Sequence, residues 1–305
     1  MGIRDEVKLL TRSRDWRGRA RTPRTAEPWE LPTEQRPFPT AWARTPAVGT
    51  VRAGLQRGLL KPTTWTVTAP DVEGIDLLDG LRGPVVFVAN HASHLDTPLI
   101  LGSLPHRFAR RLAVGAAADY FFNHRWRAVL TALVFNGFPV ERDGRGKTAS
   151  QAPQLLRAGW SLLLFPEGTR SQDGWMTRIR LGSAYLCCRL GVPAVPVAIR
   201  GTYAAMPRGR TWPVPGRPRV SVRYGRPVIP MEGESIRDFN KRLADALARL
   251  WNEEDLGWYA AQRADVSTAP ADPAAAAPAG SWRRSWASSR PSAATQRPRA
   301  WTGDA

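Results

Sequence analysis

The sequence predicts an α/β fold: a single domain with a mostly buried sheet flanked by helices, and disordered tails at both ends. Three observations predict it. Short, unbroken apolar runs recur at Val85–Val88, Ser161–Phe165 and Ala194–Ile199, each near Gly or Pro. Runs of that length and chemistry read as strands buried on both faces. Segments with helical periodicity separate them, and alternation of the two types builds a sheet covered by helices. Outside this core, residues 1–45 are rich in Arg, Pro and Thr, and residues 263–305 in Ala, Pro, Ser and Arg. Neither stretch has lasting periodicity, so both read as disordered, leaving 46–262 as the domain.

In chain order, Val48, Val51, Leu55 and Leu59 fall at helical spacing with Arg52 and Arg57 between them, the pattern of a short amphipathic helix. Trp65 to Thr68 alternates like a strand, and Val72 to Leu81 turns toward the run at Val85. A helix is expected from Thr97-Pro98-Leu99, with Asp96 near its first turn. Further expected strands lie at Arg110–Val114, Gly137–Val140 and Arg219–Tyr224. Further helices lie at Trp126–Phe135, Ala152–Ala158, Leu181–Leu190 and Ser235–Trp258, two of them closed by Gly159 and Gly191. Adjacent Cys187 and Cys188 sit in an apolar helical stretch and read as core thiols in a reducing setting.

Three polar turns follow expected strands. After Val88 come Asn90, His91, Ser93, His94 and Asp96 within seven residues. The spacing of His91 and Asp96 lets the carboxylate hold one imidazole nitrogen and leave the other outward, a general base with its orienter. A metal is the second reading of His91, His94 and Asp96. It is weak, because His106 and His124, the other two of the four His, show no ligand spacing. Gly137-Phe-Pro-Val-Glu-Arg142 delivers Arg142 at a strand end, and a guanidinium can hold two phosphate oxygens at once. Phe165-Pro-Glu-Gly-Thr-Arg-Ser171 has Gly168 for a tight turn, Glu167 and Arg170 projecting, and an anion nest in Thr169, Arg170 and Ser171. It lacks the Gly-Lys-Ser/Thr ending of a Walker loop.

These turns, with Val192-Pro-Ala-Val-Pro-Val197, come in the order and rough spacing of the glycerolipid (1-acylglycerol-3-phosphate, or lysophosphatidate) acyltransferase family. The resemblance covers roughly residues 60 to 230, and the first and third turns carry most of it. It implies that a lysophospholipid hydroxyl attacks the thioester of an acyl-CoA or acyl carrier protein, most simply turning 1-acylglycerol-3-phosphate into phosphatidate. His91 and Asp96 are then catalytic, with no Ser or Cys nucleophile. Arg142 and Arg170 bind the acceptor phosphate, Glu167 positions, Gly168 shapes the turn with Thr169, and Pro196 belongs to the fourth block. No cofactor or metal is expected beyond the acyl co-substrate. The chain departs from many relatives at Pro139 and Val140, and the N-terminal spanning helices that some relatives possess are not evident.

The formal charge is +18, almost all of the excess being Arg, and ten Arg with no Asp, Glu or Lys lie between Gly174 and Met231. Such a field suits a polyanion: nucleic acid, an anionic membrane or a phosphorylated substrate. The thirteen Trp allow a nucleic-acid-binding alternative, but no nucleic-acid motif occurs, and none is expected as partner. A non-catalytic member of the fold is the other alternative, and the intact His91 and Asp96 argue against it. No apolar core follows the basic start and no uninterrupted apolar run reaches ~18 residues. The expectation is therefore a cytoplasmic protein held peripherally at the inner face of the cell membrane, with Trp175 and Trp212 as candidate anchors.

Overall fold

The apolar runs form the centre of one sheet. The structure, a computed structural model, describes residues 38–140 and 151–263. Among these the strands are β1 (Ala69–Glu73), β2 (Val86–Ala89), β3 (Leu112–Ala117), β4 (Gly137–Val140), β5 (Ser161–Leu164), β6 (Ala194–Arg200) and β7 (Arg219–Tyr224). They lie in the order β1-β7-β6-β2-β5-β3-β4. Every pairing is parallel except that of β6 with β7. β2 is central, between β6 and β5, and its alternate residues enter opposite layers. Val85, Phe87 and Ala89 pack with Leu99, Ile100 and Tyr224. Val86 and Val88 pack with Leu162, Phe239 and Leu243. Two apolar layers explain why the run has no polar alternation.

The helices used below are α1 (Pro46–Leu55), α2 (Lys61–Val67), α3 (Asp96–Ser103), α4 (Arg125–Phe135), α5 (Gln151–Arg157), α6 (Gly182–Leu190), α7 (Ile236–Leu256) and α8 (Trp258–Arg263). α7 is the longest. Ser235 caps it by accepting the Asp238 N–H, and Phe239, Leu243, Leu247 and Leu250 form its buried stripe. Cys187 of α6 is buried in the same layer. Among the described residues no helix is long and apolar enough to cross a membrane.

Two expectations need correction. Trp65 to Thr68 is not a strand: residues through Val67 are helical, continuing α1 across a π-helical turn at Gln56–Leu60 into α2. Thr side chains bond back along this helix, Thr64 Oγ1–H to the Leu60 carbonyl and Thr68 Oγ1–H to that of Thr64. Trp65 packs on α3 at Gly102, where a Cβ would come within 2.4 Å of the indole. The faces of α1 are also not those expected. Arg52 is buried and donates to the Ala43 carbonyl at 2.7 Å, whereas Val51 is 55% exposed. The bond to the buried Ala43 turns the helix away from its simple amphipathic reading.

Parallel strands share one C-terminal edge, and the ends of β2, β5, β3 and β6 open there together. That edge carries the polar turns.

Candidate active site

The turn after β2 is built around a carboxylate. Asp96, the first residue of α3, is fully buried. Its Oδ2 accepts the Ala92 N–H at 2.7 Å, the Ser93 N–H at 2.8 Å and His91 Nδ1 at 2.8 Å. Since Nδ1 donates, the neutral ring keeps its lone pair on Nε2. The His91 side chain is 19% exposed, and its ring stacks on Phe165 with centroids 4.1 Å apart. Nε2 has no hydrogen-bond partner among the described residues. The pair expected from the sequence is thus formed, with its free nitrogen at the edge of the sheet.

The surrounding residues brace this turn. Asn90 donates to the Ile199 carbonyl at 2.9 Å and accepts the Ile199 N–H at 2.7 Å, joining the end of β2 to β6. Ser93 Oγ donates to the Met206 carbonyl at 2.9 Å. His94 faces Tyr120 and Phe121, with ring centroids 6.1 and 6.2 Å away. Burial, then the positive charge of Arg170, pushes His94 down to about 4, so it is neutral near pH 7.

The turn after β5 meets the first. Gly168 has φ 76°, and a Cβ there would lie 2.9 Å from Arg180 Cζ, so both conformation and space call for glycine. Its N–H is already bonded to the Phe165 carbonyl at 3.1 Å, inside the turn. Glu167 departs from expectation. It points inward and is 4% exposed. Its Oε1 accepts the His91 N–H at 2.9 Å, while Oε2 accepts the Thr177 N–H at 3.1 Å and Oγ1–H at 2.6 Å. The Ser171 N–H donates to the His91 carbonyl at 2.8 Å. Thr169 is exposed and Arg170 half-buried. Arg142 lies outside the described residues, as do both tails apart from 38–45 and residue 263.

Sequence reasoning missed Phe165 and Thr177. Phe165 read only as a strand end, though an aromatic side chain next to Pro166-Glu167 was there to be weighed. Thr177 carries no motif signal.

Burial pushes Glu167 up from 4.5 to about 7, against the bonds from Thr177 and the His91 N–H. The folded chain then holds a proton that the unfolded chain has lost between those values. The stability this contributes is full below 4.5 and is lost as pH rises through about 7. Glu167→Gln should remove that slope. Thermal melts of the two proteins are expected to diverge between acid and mildly alkaline pH, and parallel melting curves across the range would show that Glu167 does not carry the proton.

Comparison with known proteins agrees with this geometry. An acyltransferase family model matches residues 69–200, spanning β1 to β6 and both turns. The matched stretch is similar to acyltransferases of glycerolipids. The chain is 31% identical over 144 residues to a chloroplastic 1-acyl-sn-glycerol-3-phosphate acyltransferase of Brassica napus, covering 46% of this chain and 39% of that one. It is 34% identical over 128 residues to a 1-acyl-sn-glycerol-3-phosphate acyltransferase of Chlamydomonas reinhardtii, covering 42% and 37%. This chain therefore spans under two-fifths of the length of these acyltransferases. The crystal structure of the 1-acyl-sn-glycerophosphate acyltransferase PlsC from Thermotoga maritima superposes with a TM-score of 0.52 at 26% identity, over 70% of this chain and 87% of that one. The seven-stranded mixed sheet flanked by helices is similar to the fold of that acyltransferase.

Proposed function

We propose that this protein is a lysophosphatidate acyltransferase of phospholipid synthesis. It moves a fatty acyl group from acyl-CoA or acyl carrier protein to the free hydroxyl of a lysophospholipid, first of all 1-acylglycerol-3-phosphate, giving phosphatidate. The observation that carries the reading is the His91–Asp96 pair: Nδ1 bonded to a buried carboxylate and Nε2 left to a substrate proton. Nε2 takes the proton from the acceptor hydroxyl as its oxygen attacks the thioester carbonyl. The ester C–O bond forms, the C–S bond breaks, and the thiol leaves with a proton. Asp96 stabilises the imidazolium between these events. Arg170, close enough for its charge to bear on His94, and Arg142 are assigned to the acceptor phosphate. The test is phosphatidate formation by the purified full chain from lysophosphatidate, with each donor in turn and with glycerol 3-phosphate and other lysolipids as competing acceptors. Absence of product with either donor overturns the reading.

The same reading puts the protein peripherally on an anionic bilayer. Trp126, the second residue of α4, is 61% exposed. Trp212, in the connection from β6 to β7, is 63% exposed. Trp175 instead is half-buried. Val51 and Leu59 are exposed near α4, whose Val134 carbonyl accepts from Gln56 at 2.7 Å. Indole rings favour the headgroup layer, and each nearby Arg adds up to ~1 kcal/mol at an anionic surface. Of the ten Arg between Gly174 and Met231, Arg200 and Arg223 are ion-paired with Asp255 and Glu73, which lowers the available charge. Flotation with anionic liposomes should be strong at low salt, weaker at high salt, and weaker again for Trp126→Ser with Trp212→Ser. Equal binding to neutral and anionic vesicles at any salt would exclude electrostatic anchoring.

A further inference from the structure

The main chain of His91 is gripped on both sides. Its N–H is held by Glu167 Oε1 and its carbonyl by the Ser171 N–H. Glu167 can act as this clamp because its second oxygen is fixed by Thr177 through both the amide at 3.1 Å and the hydroxyl at 2.6 Å. Thr177 lies outside all four blocks of the family resemblance, ten residues beyond Glu167 on the segment that leads to α6. We infer that Thr177 is a positioning residue for the acyl transfer: by holding Glu167 it sets where His91 stands. The inference rests on the reading of His91 as the base.

The chemistry of the clamp follows from its surroundings. Glu167 is buried, which disfavours its charge. From the turn after β2 it faces His91 and Asp96, and the Asp96 carboxylate acts in the same direction as burial. Thr177, Arg178 and Arg180 line a pocket of about 440 Å³ with Glu167 and with Asn240 of α7. The Thr177 hydroxyl is the leading hydrogen bond that favours the ionised carboxylate. Without it Glu167 takes up a proton at higher pH. The charge-assisted bond to the His91 N–H then weakens, and the imidazole is no longer held in one place.

Thr177→Val keeps shape and amide but deletes the hydroxyl, Thr177→Ala is its backup should Val not fold, and Thr177→Ser keeps the hydroxyl. Two measurements decide. The first is the pH titration of the His91 amide proton by NMR in the intact protein, which needs no turnover. Its midpoint should follow Glu167, about 7 in the parent chain. It should rise by about one pH unit in the Val or Ala variant and return in Ser. The second is kinetics with lysophosphatidate. In the Val variant kcat should fall about tenfold with acceptor KM within about twofold, and the acid limb of the pH profile should move upward; Ser should restore both. An unmoved amide midpoint in the Val or Ala variant overturns the inference, and so does a loss of kcat that Ser fails to restore. An intact titration in a parent protein that transfers no acyl group would instead overturn the proposed function and leave the clamp standing.

Discussion

Replacing His91 by alanine is expected to lower acyl transfer by roughly three orders of magnitude while the protein still folds. The imidazole has an orienting carboxylate on one nitrogen and, among the described residues, no partner on the other. Its structural debts are small. It gives up the stack on Phe165, of order 0.5–1.5 kcal/mol, and one bond to Asp96, which still accepts from Ala92 and Ser93. The backbone clamp is untouched, since it uses only the N–H and C=O of residue 91. Circular dichroism melts should therefore stay close to the parent while thiol release from the acyl donor disappears. His94→Ala is the control. Its ring packs near Tyr120 and Phe121, and most of the activity should survive its loss. Near-normal turnover by His91→Ala would end the general-base mechanism.

The second large effect is at Asp96, where asparagine and alanine should separate charge from structure. Oδ2 accepts three hydrogen bonds, and Oδ1 is buried without a partner. Asparagine can set its carbonyl oxygen in the Oδ2 position and serve the same three donors. Its NH₂ then occupies the place of Oδ1 unsatisfied, at a cost of about 1–2 kcal/mol. The fold should hold, the acceptor KM should barely change, and kcat should drop on the order of 10³-fold, because no negative charge remains to stabilise the imidazolium. Alanine leaves three donors without their acceptor, two of them the buried amides of Ala92 and Ser93. It should destabilise the protein by about 3 kcal/mol or more in addition to abolishing turnover. A charge-free Asp96→Asn that keeps most of its kcat would show that the carboxylate only shapes the turn.

The parts of the fold legible in the sequence are those governed by burial on two faces. β2, β5 and β6 lie within one residue of expectation, because strands between two apolar layers carry no polar interruption, and β4 and β7 begin and end at the expected residues, β7 through its alternation of apolar with polar residues. The single-turn helices His106–Ala109, Ala118–Phe121 and Thr202–Ala205 were not visible, since four residues do not establish a period. Trp65 to Thr68 read wrongly for the related reason that a four-residue alternation is also compatible with a helix end. At the site, the His91–Asp96 contact was legible because both residues lie within one turn. The direction of Glu167 was not. It depends on the left-handed conformation of Gly168 and on a partner ten residues away, neither of which the turn itself reveals.

The braces on the turn after β2 also bear on how the molecule comes together in time. Asn90 bonds across 109 residues of sequence, Ser93 across 113 and His91 across 76. Contacts of such separation close late, because the entropy of a long loop is lost before the contact returns anything. During synthesis, a nascent chain that has emerged through β5 already contains His91 and Asp96 and can form their local bonds. It still lacks the Ile199 and Met206 carbonyls that hold the neighbouring residues. Order at this edge of the sheet should therefore appear as one late kinetic phase, together with the docking of β6 on β2, and not gradually as the motif itself is made.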